Sequence, residues 1–274
     1  MTHKTGALTA LTAPGVSVLM AVHNGGRWLS DAVASVSAQT AGDLELIVID
    51  DGSTDETSAI LAAVRDPRVR VERRARAGLT RSLNRALRLA RAPLVARLDA
   101  DDLALPARLA RQRAFLDSHP DIGLLGTGAR VIDADGEERG VVRPPEDDRT
   151  IRRVLIHHNP FVHSSVMMRR AVVEAVGRYD ESFAVAQDYD LWLRLAAVTR
   201  LANLAEALVI RRLVPGRVTA ERDGDRLRAE VRARWSAVRR GTYPPWCVGH
   251  VVRPVLALAL PLPLRRALRG GHAG

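Results

Sequence analysis

At 274 residues, with 47% hydrophobic and 26% charged side chains, the chain is long enough to bury one large α/β domain and too apolar for wholesale disorder. Lys4 is the only lysine, so 40 of the 41 basic residues are arginine; the formal charge of +10 favours acidic partners such as phosphorylated substrates or anionic lipid surfaces. Cys247 is the sole cysteine, which excludes an intramolecular disulfide and a cysteine-based zinc site and suits a reducing cytoplasm. Nucleic acid is not an expected partner, because arginines such as Arg81, Arg85 and Arg88 recur along a helix face with few aromatics between them to stack bases. The opening residues carry Lys4 as their only fixed side-chain charge and no long apolar run, so a signal peptide is not expected.

Val16 to Val22 and Leu44 to Ile49 are short, β-branched-rich apolar runs and read as buried parallel strands. Between them Trp28, Leu29, Ala32, Val33 and Val36 recur at helical spacing, completing a βαβ unit. The alternation predicts a helix after Asp55, a strand near Val69 to Val71, a helix burying Leu79, Leu83, Ala86, Leu87 and Ala90, and a strand from Leu94 to Leu98. Pro106 suits a first helical turn, and His119 with Pro120 closes that helix after about Ser118. Asp135-Gly136 marks a turn between two later strands. Further on the reading is a helix near Thr150 to Leu155, a strand over Phe161 to Met168, and a helix from Asp188 to about Ala197. Such alternation predicts a doubly wound, mainly parallel α/β sheet flanked by helices, with ligands bound beyond the carboxyl ends of the strands.

Two acidic segments fall at those ends. Ile49-Asp50-Asp51-Gly52-Ser53-Thr54-Asp55 closes the second strand; Ser53 or Asp55 can cap the next helix and Gly52 can permit the turn, but neither role accounts for the acidic pair. Arg97-Leu98-Asp99-Ala100-Asp101-Asp102 closes a later strand, where a bound divalent cation would offset the mutual repulsion of its carboxylates, with a solvated acidic loop as the alternative. Oxygen-only ligands suit Mg²⁺ or Mn²⁺.

Taken in order, Val16-Ser17-Val18-Leu19-Met20-Ala21-Val22-His23-Asn24, then Ile49 to Asp55, then Leu98 to Asp102 resembles the signature of family 2 glycosyltransferases with the GT-A fold, over roughly Pro14 to Arg200. The resemblance implies a nucleotide-diphosphate sugar donor, with Asp51 contacting the base, Ala21 and His23 along the nucleoside, and Asp99 with Asp101 holding ribose and the metal-bound diphosphate. It also implies a GT-A domain over 14–214, whose donor half runs to about 120 and whose smaller acceptor half spans 121–214, followed by a helical and apolar extension over 215–274. Arg81 is a candidate to assist the diphosphate, with a surface role as the alternative.

Gln187-Asp188-Tyr189-Asp190-Leu191-Trp192-Leu193-Arg194 opens a helix on which Asp188 shares a face with Leu191, Trp192 and Leu195, whereas Asp190 is expected to face water and pair with Arg194. The segment resembles the family's Glu-Asp pair, with Gln187 in place of Glu, which implies that Asp188 is the general base on the acceptor hydroxyl in an inverting transfer; a helix cap is the bland alternative. His163, in Asn159-Pro160-Phe161-Val162-His163-Ser164-Ser165, resembles a segment found near the diphosphate in bacterial members, and a structural histidine is the other reading. Val231-Arg232-Ala233-Arg234-Trp235 only half matches the Gln-x-x-Arg-Trp signature of processive synthases, so single-sugar transfer to a glycan or lipid-linked acceptor in cell-surface glycan synthesis is the expected activity.

Two rival functions remain in view: a nucleotide-sugar-binding protein without catalysis, and a sugar-phosphate nucleotidyltransferase, which calls for a glycine-rich basic loop where this chain has only Gly25, Gly26 and Arg27. A nicotinamide dehydrogenase lacks its Gly-x-Gly-x-x-Gly. The apolar stretch Val248 to Leu264 is interrupted by Arg253, Pro254, Pro261 and Pro263, and is read as a packing element and not a span. Arg265, Arg266 and Arg269 keep peripheral contact with the inner face of the membrane as the alternative.

Overall fold

The computed structural model describes residues 13–214 and 223–251. Strands β1 (Val16–Val22) and β2 (Leu44–Asp51) are buried along their whole length, as expected of strands covered on both faces. Helix α1 (Gly26–Ser37) between them buries Leu29, Ala32, Val33 and Val36, the predicted stripe. After α2 (Thr57–Ala63) come β3 (Val69–Arg74), α3 (Leu79–Leu89) and β4 (Leu94–Arg97). α3 buries Leu83, Ala86 and Leu87 as expected, but Leu79 is exposed. It is the first helical residue, swung outward where the chain enters from Gly78 at φ 93°.

Among the described residues the sheet has nine strands in the order β3-β2-β1-β4-β8 (Met167–Arg169)-β6 (Ile122–Ile132)-β9 (Arg200–Arg212)-β5 (Leu103–Ala104), with β7 (Glu138–Val142) on β6; its first four strands are mutually parallel. The remaining half is mixed. Strand β5 (Leu103–Ala104) and helix α4 (Arg108–Ser118) lead to β6 (Ile122–Ile132), which turns at Asp135-Gly136 into antiparallel β7 (Glu138–Val142). Helix α5 (Asp148–Leu155) is capped by the Asp147 side chain, which accepts from the Thr150 amide at 2.9 Å.

The strand expected over 161–168 is not one strand. His163–Ser165 forms a 3₁₀ turn and only β8 (Met167–Arg169) is extended, running antiparallel to β4 and β6. The Ser165 hydroxyl donates back to Val162 O at 2.9 Å, a local bond that competes with the ladder and turns His163 and Ser164 toward the strand ends. After α6 (Arg170–Ala175) and α7 (Gln187–Leu195), the long strand β9 (Arg200–Arg212) runs parallel to β6. Its central Leu-Ala-Glu-Ala carries no alternation, so only pairing reveals it. The register shifts at Gly128, where a Cβ would lie 3.0 Å from both Ala205 O and Val142 O.

Apolar clusters cover both faces of the sheet. Helix α8 (Asp223–Arg239) lies on α7 and adds Ala233 and Ala237 to the core on that side. A 3₁₀ turn, Pro245–Val248, follows and packs on α8; residues 252–274, with the rest of the apolar stretch and Arg265, Arg266 and Arg269, lie outside the described residues. Among the described residues no helix is long and apolar enough to cross a membrane.

Candidate active site

Because β1, β2 and β4 are parallel and in register, Val22 beside Asp50 and Leu19 beside Arg97, their carboxyl ends deliver His23, Asp51 and Asp99 to one edge of the sheet. The turn after β2 is laced to the start of α1. Asn24, at φ 53°, accepts from the Thr54 amide at 2.9 Å, its own amide donates to Ser53 Oγ at 3.0 Å, and the Gly26 amide donates to Asp55 at 3.1 Å. Asp55 therefore serves two helix starts, since it also accepts from the Thr57 amide at 3.0 Å, while Asp50 holds the turn through the Ser53 amide at 2.9 Å and Ser58 at 2.8 Å.

Asp51 is almost fully buried. Its oxygens accept from the amides of Ala77 and Gly78 at 2.8 and 2.9 Å and from Ser82 Oγ at 3.0 Å, so it fixes the loop that leads into α3. His23 places Nδ1 3.0 Å from Asp51 O and its other ring nitrogen against Arg76. Ala21 is buried below them. Arg81 pairs with Glu181 at 3.4 Å on the surface.

Asp99, Asp101 and Asp102 bring carboxylate oxygens within 4.8 Å of one another. Arg97 and Arg108 lie fully buried beneath them: Arg97 donates to Asp99 and to Leu19 O at 3.3 Å, and Arg108 to Arg97 O at 2.8 Å. Burial, with the Arg97 charge beside it, pulls the Arg108 pKa down to about 9. Ser164 Oγ lies 2.7 Å from Asp99 and 2.5 Å from Asp102, and one hydroxyl proton cannot serve both contacts. Burial and the charges of Asp99 and Asp101 push the Asp102 pKa up to about 7. The other Asp102 oxygen accepts from the Arg212 amide at 2.8 Å. The carboxylates of Asp99, Asp101 and Asp102 form an all-oxygen set of the kind that suits a hard divalent cation.

Across the cleft, Asp188 sits in the first turn of α7, whose N-cap, Ala186, is left-handed at φ 56° and makes no side-chain cap bond. Asp188 thus does not cap the helix. It is half-buried, lines the cleft, and accepts from Asn159 Nδ2 at 2.8 Å. Asn159 is itself held, its carbonyl accepting from the Phe161 amide at 3.0 Å. Asp190 does not face water. Its side chain is 3% exposed and meets Arg194 at 2.8 Å, because α8 and the α6 end cover the side of α7 expected to be solvated. Gln187 is buried, and Trp192 is fully buried behind the site against Phe161 and His163. His163 lines the cleft with its Nε2 3.1 Å from the Tyr179 hydroxyl, and burial, aided by Arg97, lowers its pKa.

The cleft has a volume of about 930 Å³ and is walled by Asp99, Asp101, Asp188 and His163, with Arg226 and Glu230 of α8. The sequence pattern marks the carboxylates but not Asn159, Ser164, Arg97 and Arg212. Asn159 and Ser164 stand in a segment already singled out for His163. A fully apolar strand ending in arginine was the available signal for Arg97. Nothing local marks Arg212, which reaches the acids only through β9.

A parallel sheet with carboxylates at its strand ends, joined to a mixed half that closes a second wall, is the architecture of a GT-A glycosyltransferase. The chain belongs to glycosyl transferase family 2, whose model matches residues 17–177. It is 34% identical over 204 residues to the putative glycosyltransferase EpsE of Bacillus subtilis (strain 168), covering 72% of each chain. It is also 31% identical over 221 residues to the amylovoran biosynthesis glycosyltransferase AmsE of Erwinia amylovora, covering 78% of this chain and 82% of that one. Among solved structures, S. aureus TarS (residues 1–349) in complex with UDP-GlcNAc superposes with a TM-score of 0.65 at 20% identity, over 80% of this chain and 66% of that one. The mannosyltransferase PcManGT from Pyrobaculum calidifontis, in complex with GDP-Man and Mn²⁺, does so with a TM-score of 0.63 at 22% identity, over 95% and 80%.

Proposed function

We propose that this glycosyltransferase moves a sugar from a nucleoside diphosphate donor to a hydroxyl acceptor with inversion at the anomeric carbon, using Asp188 as the base. The observation that carries the reading is the placement of a half-buried, Asn159-oriented Asp188 on the same cleft as Asp99 and Asp101. The TarS complex with UDP-GlcNAc and the PcManGT complex with GDP-Man and Mn²⁺ support the donor class. Relatives named for amylovoran and O-antigen biosynthesis support a glycan acceptor, free or lipid-linked.

Asp99 and Asp101 would hold Mn²⁺ or Mg²⁺, which when bound supplies positive charge to the departing diphosphate. Asp188 takes the proton of the acceptor hydroxyl while that oxygen bonds to the anomeric carbon and the bond to the diphosphate oxygen breaks on the opposite face. Asn159 occupies one Asp188 oxygen and leaves the other for the acceptor. Asp51, Ala21 and His23 form the nucleoside end. With both its oxygens on the Ala77–Gly78 amides and Ser82, Asp51 acts there by shaping the loop that meets the base.

A thermal-shift screen of UDP-, GDP- and dTDP-sugars with and without Mn²⁺, followed by nucleoside diphosphate release, tests the reading. One donor class should raise Tm only with the cation, and Asp101→Ala should abolish that shift. If every donor is inert, or if chelator leaves binding unchanged, the reading fails.

A further inference from the structure

α8 presents different residues in three directions. Toward the cleft it contributes Arg226 and Glu230, and into the protein it buries Leu227, Ala233, Arg234 and Ala237. Outward it carries Arg228, Arg232, Trp235 and Arg239, spaced four, three and four residues apart and all exposed. That spacing puts them on one line of helix surface. Trp235 is 45% exposed, and Trp246, in the 3₁₀ turn packed on the same helix, is 79% exposed beside the exposed Val248.

A tryptophan carries roughly 200 Å² of largely apolar surface with a polar N–H at one end. Such side chains belong where one end is wet and the other apolar. The exposed charge on and beside this helix is mainly of one sign: Arg228, Arg232, Arg239 and Arg240, against Asp225, 3.0 Å from Arg228, and Asp180, 3.8 Å from Arg232, with its exposed neighbour Glu181. Arg232 also bonds Ser182 Oγ at 2.6 Å, which holds its guanidinium at the surface beside Phe183.

We propose that the outward stripe of α8, with Trp246, docks the protein on an anionic lipid bilayer. Arginines flanking tryptophan along one helix line match an interface in which the rings enter the headgroup boundary while the guanidinium groups meet phosphates. A protein partner would have to be acidic and to accept two separate tryptophans; a phosphate-bearing bilayer meets both demands across its whole surface. Because Arg226 and Glu230 lie on the cleft side of the same helix, docking would hold that wall of the cleft close to the bilayer. The inference stands whether or not Asp188 is the base.

Flotation of the full chain with phosphatidylcholine vesicles, with and without phosphatidylglycerol, tests it. The protein should float only with the anionic vesicles, less as salt rises, with a blue shift of tryptophan emission. Each arginine near an anionic surface contributes about fivefold, so Arg228→Gln, Arg232→Gln and Arg239→Gln together should weaken binding on the order of 100-fold. Trp235→Ala with Trp246→Ala should abolish the blue shift. The charge-matched set Arg111→Gln, Arg130→Gln and Arg200→Gln, on exposed positions elsewhere, should cost far less. Circular dichroism should be unchanged in all of them. Absence of flotation, equal flotation with the neutral vesicles, or undiminished binding in both stripe variants would overturn the proposal.

Discussion

Replacing Asp188 by asparagine removes a base while disturbing little else, and the structure sets how little. The Asn159 amide donates to Asp188 at 2.8 Å, and an asparagine carbonyl in the same place can accept that bond. Asp188 makes no cap bond, so its structural contribution is that of a carboxylate in the first turn of α7, about 0.3–1 kcal/mol from the helix N-terminus. Folding stability should therefore fall by no more than about 1 kcal/mol. The chemistry should suffer far more: a positioned base contributes about 10²–10⁴-fold, equivalent to about 2.7–5.4 kcal/mol of barrier. Initial rates at saturating donor, with donor affinity from calorimetry on the same preparation, separate the two effects. The expected outcome is a loss of rate in that range with donor affinity nearly unchanged. Glu174→Gln, an exposed carboxylate 3.7 Å from Arg170 on α6, is the surface control. A transfer rate for Asp188→Asn close to that of the control would refute the assignment and return Asp188 to a structural role.

Asn159→Ala should lower kcat by about 10–100-fold, the worth of a hydrogen bond to a charged group, while leaving the KM for donor in place; steady-state kinetics would show otherwise if Asn159 only packs. Asp190→Asn should act on stability and not on chemistry, because it leaves Arg194 as an uncompensated and largely buried charge; denaturant unfolding should register a loss of about 3–5 kcal/mol. Glu45 gives the pH dependence. Burial pushes its pKa up, but the Ser17 hydroxyl and the Arg91 amide and guanidinium outweigh this and hold it below the ordinary 4.5. A folded pKa below the unfolded one means that its stabilisation is present above about pH 4.5 and is lost as pH falls through the lower value. Glu45→Gln should therefore be less stable at neutral pH and show a flatter acid limb in urea titrations.

The parallel half of the sheet is legible in the chain's own pattern. Buried parallel strands must be apolar on both faces, so β1, β2 and β4 announce themselves, and the acids that follow them can only stand at one edge of the sheet. Helical spacing likewise marks the α7 segment that carries Asp188. It could not orient that helix. Asp190 was expected in water because a nine-residue helix offers too few turns to fix its buried face, and the burial of Asp190 is decided by α8, more than thirty positions away. It also could not see β9, whose Ala-Glu-Ala centre lacks alternation and becomes a strand only by pairing with β6. Nor could it place Arg97 on Asp99, or Ser164 and Arg212 on Asp102, because contacts between β4, the turn before β8 and the end of β9 are spread over more than a hundred residues of chain. Acids that close a buried strand are set by local pattern, which a sequence displays. The groups that hold those acids in place are chosen by proximity in the folded chain, and only the tertiary structure supplies that.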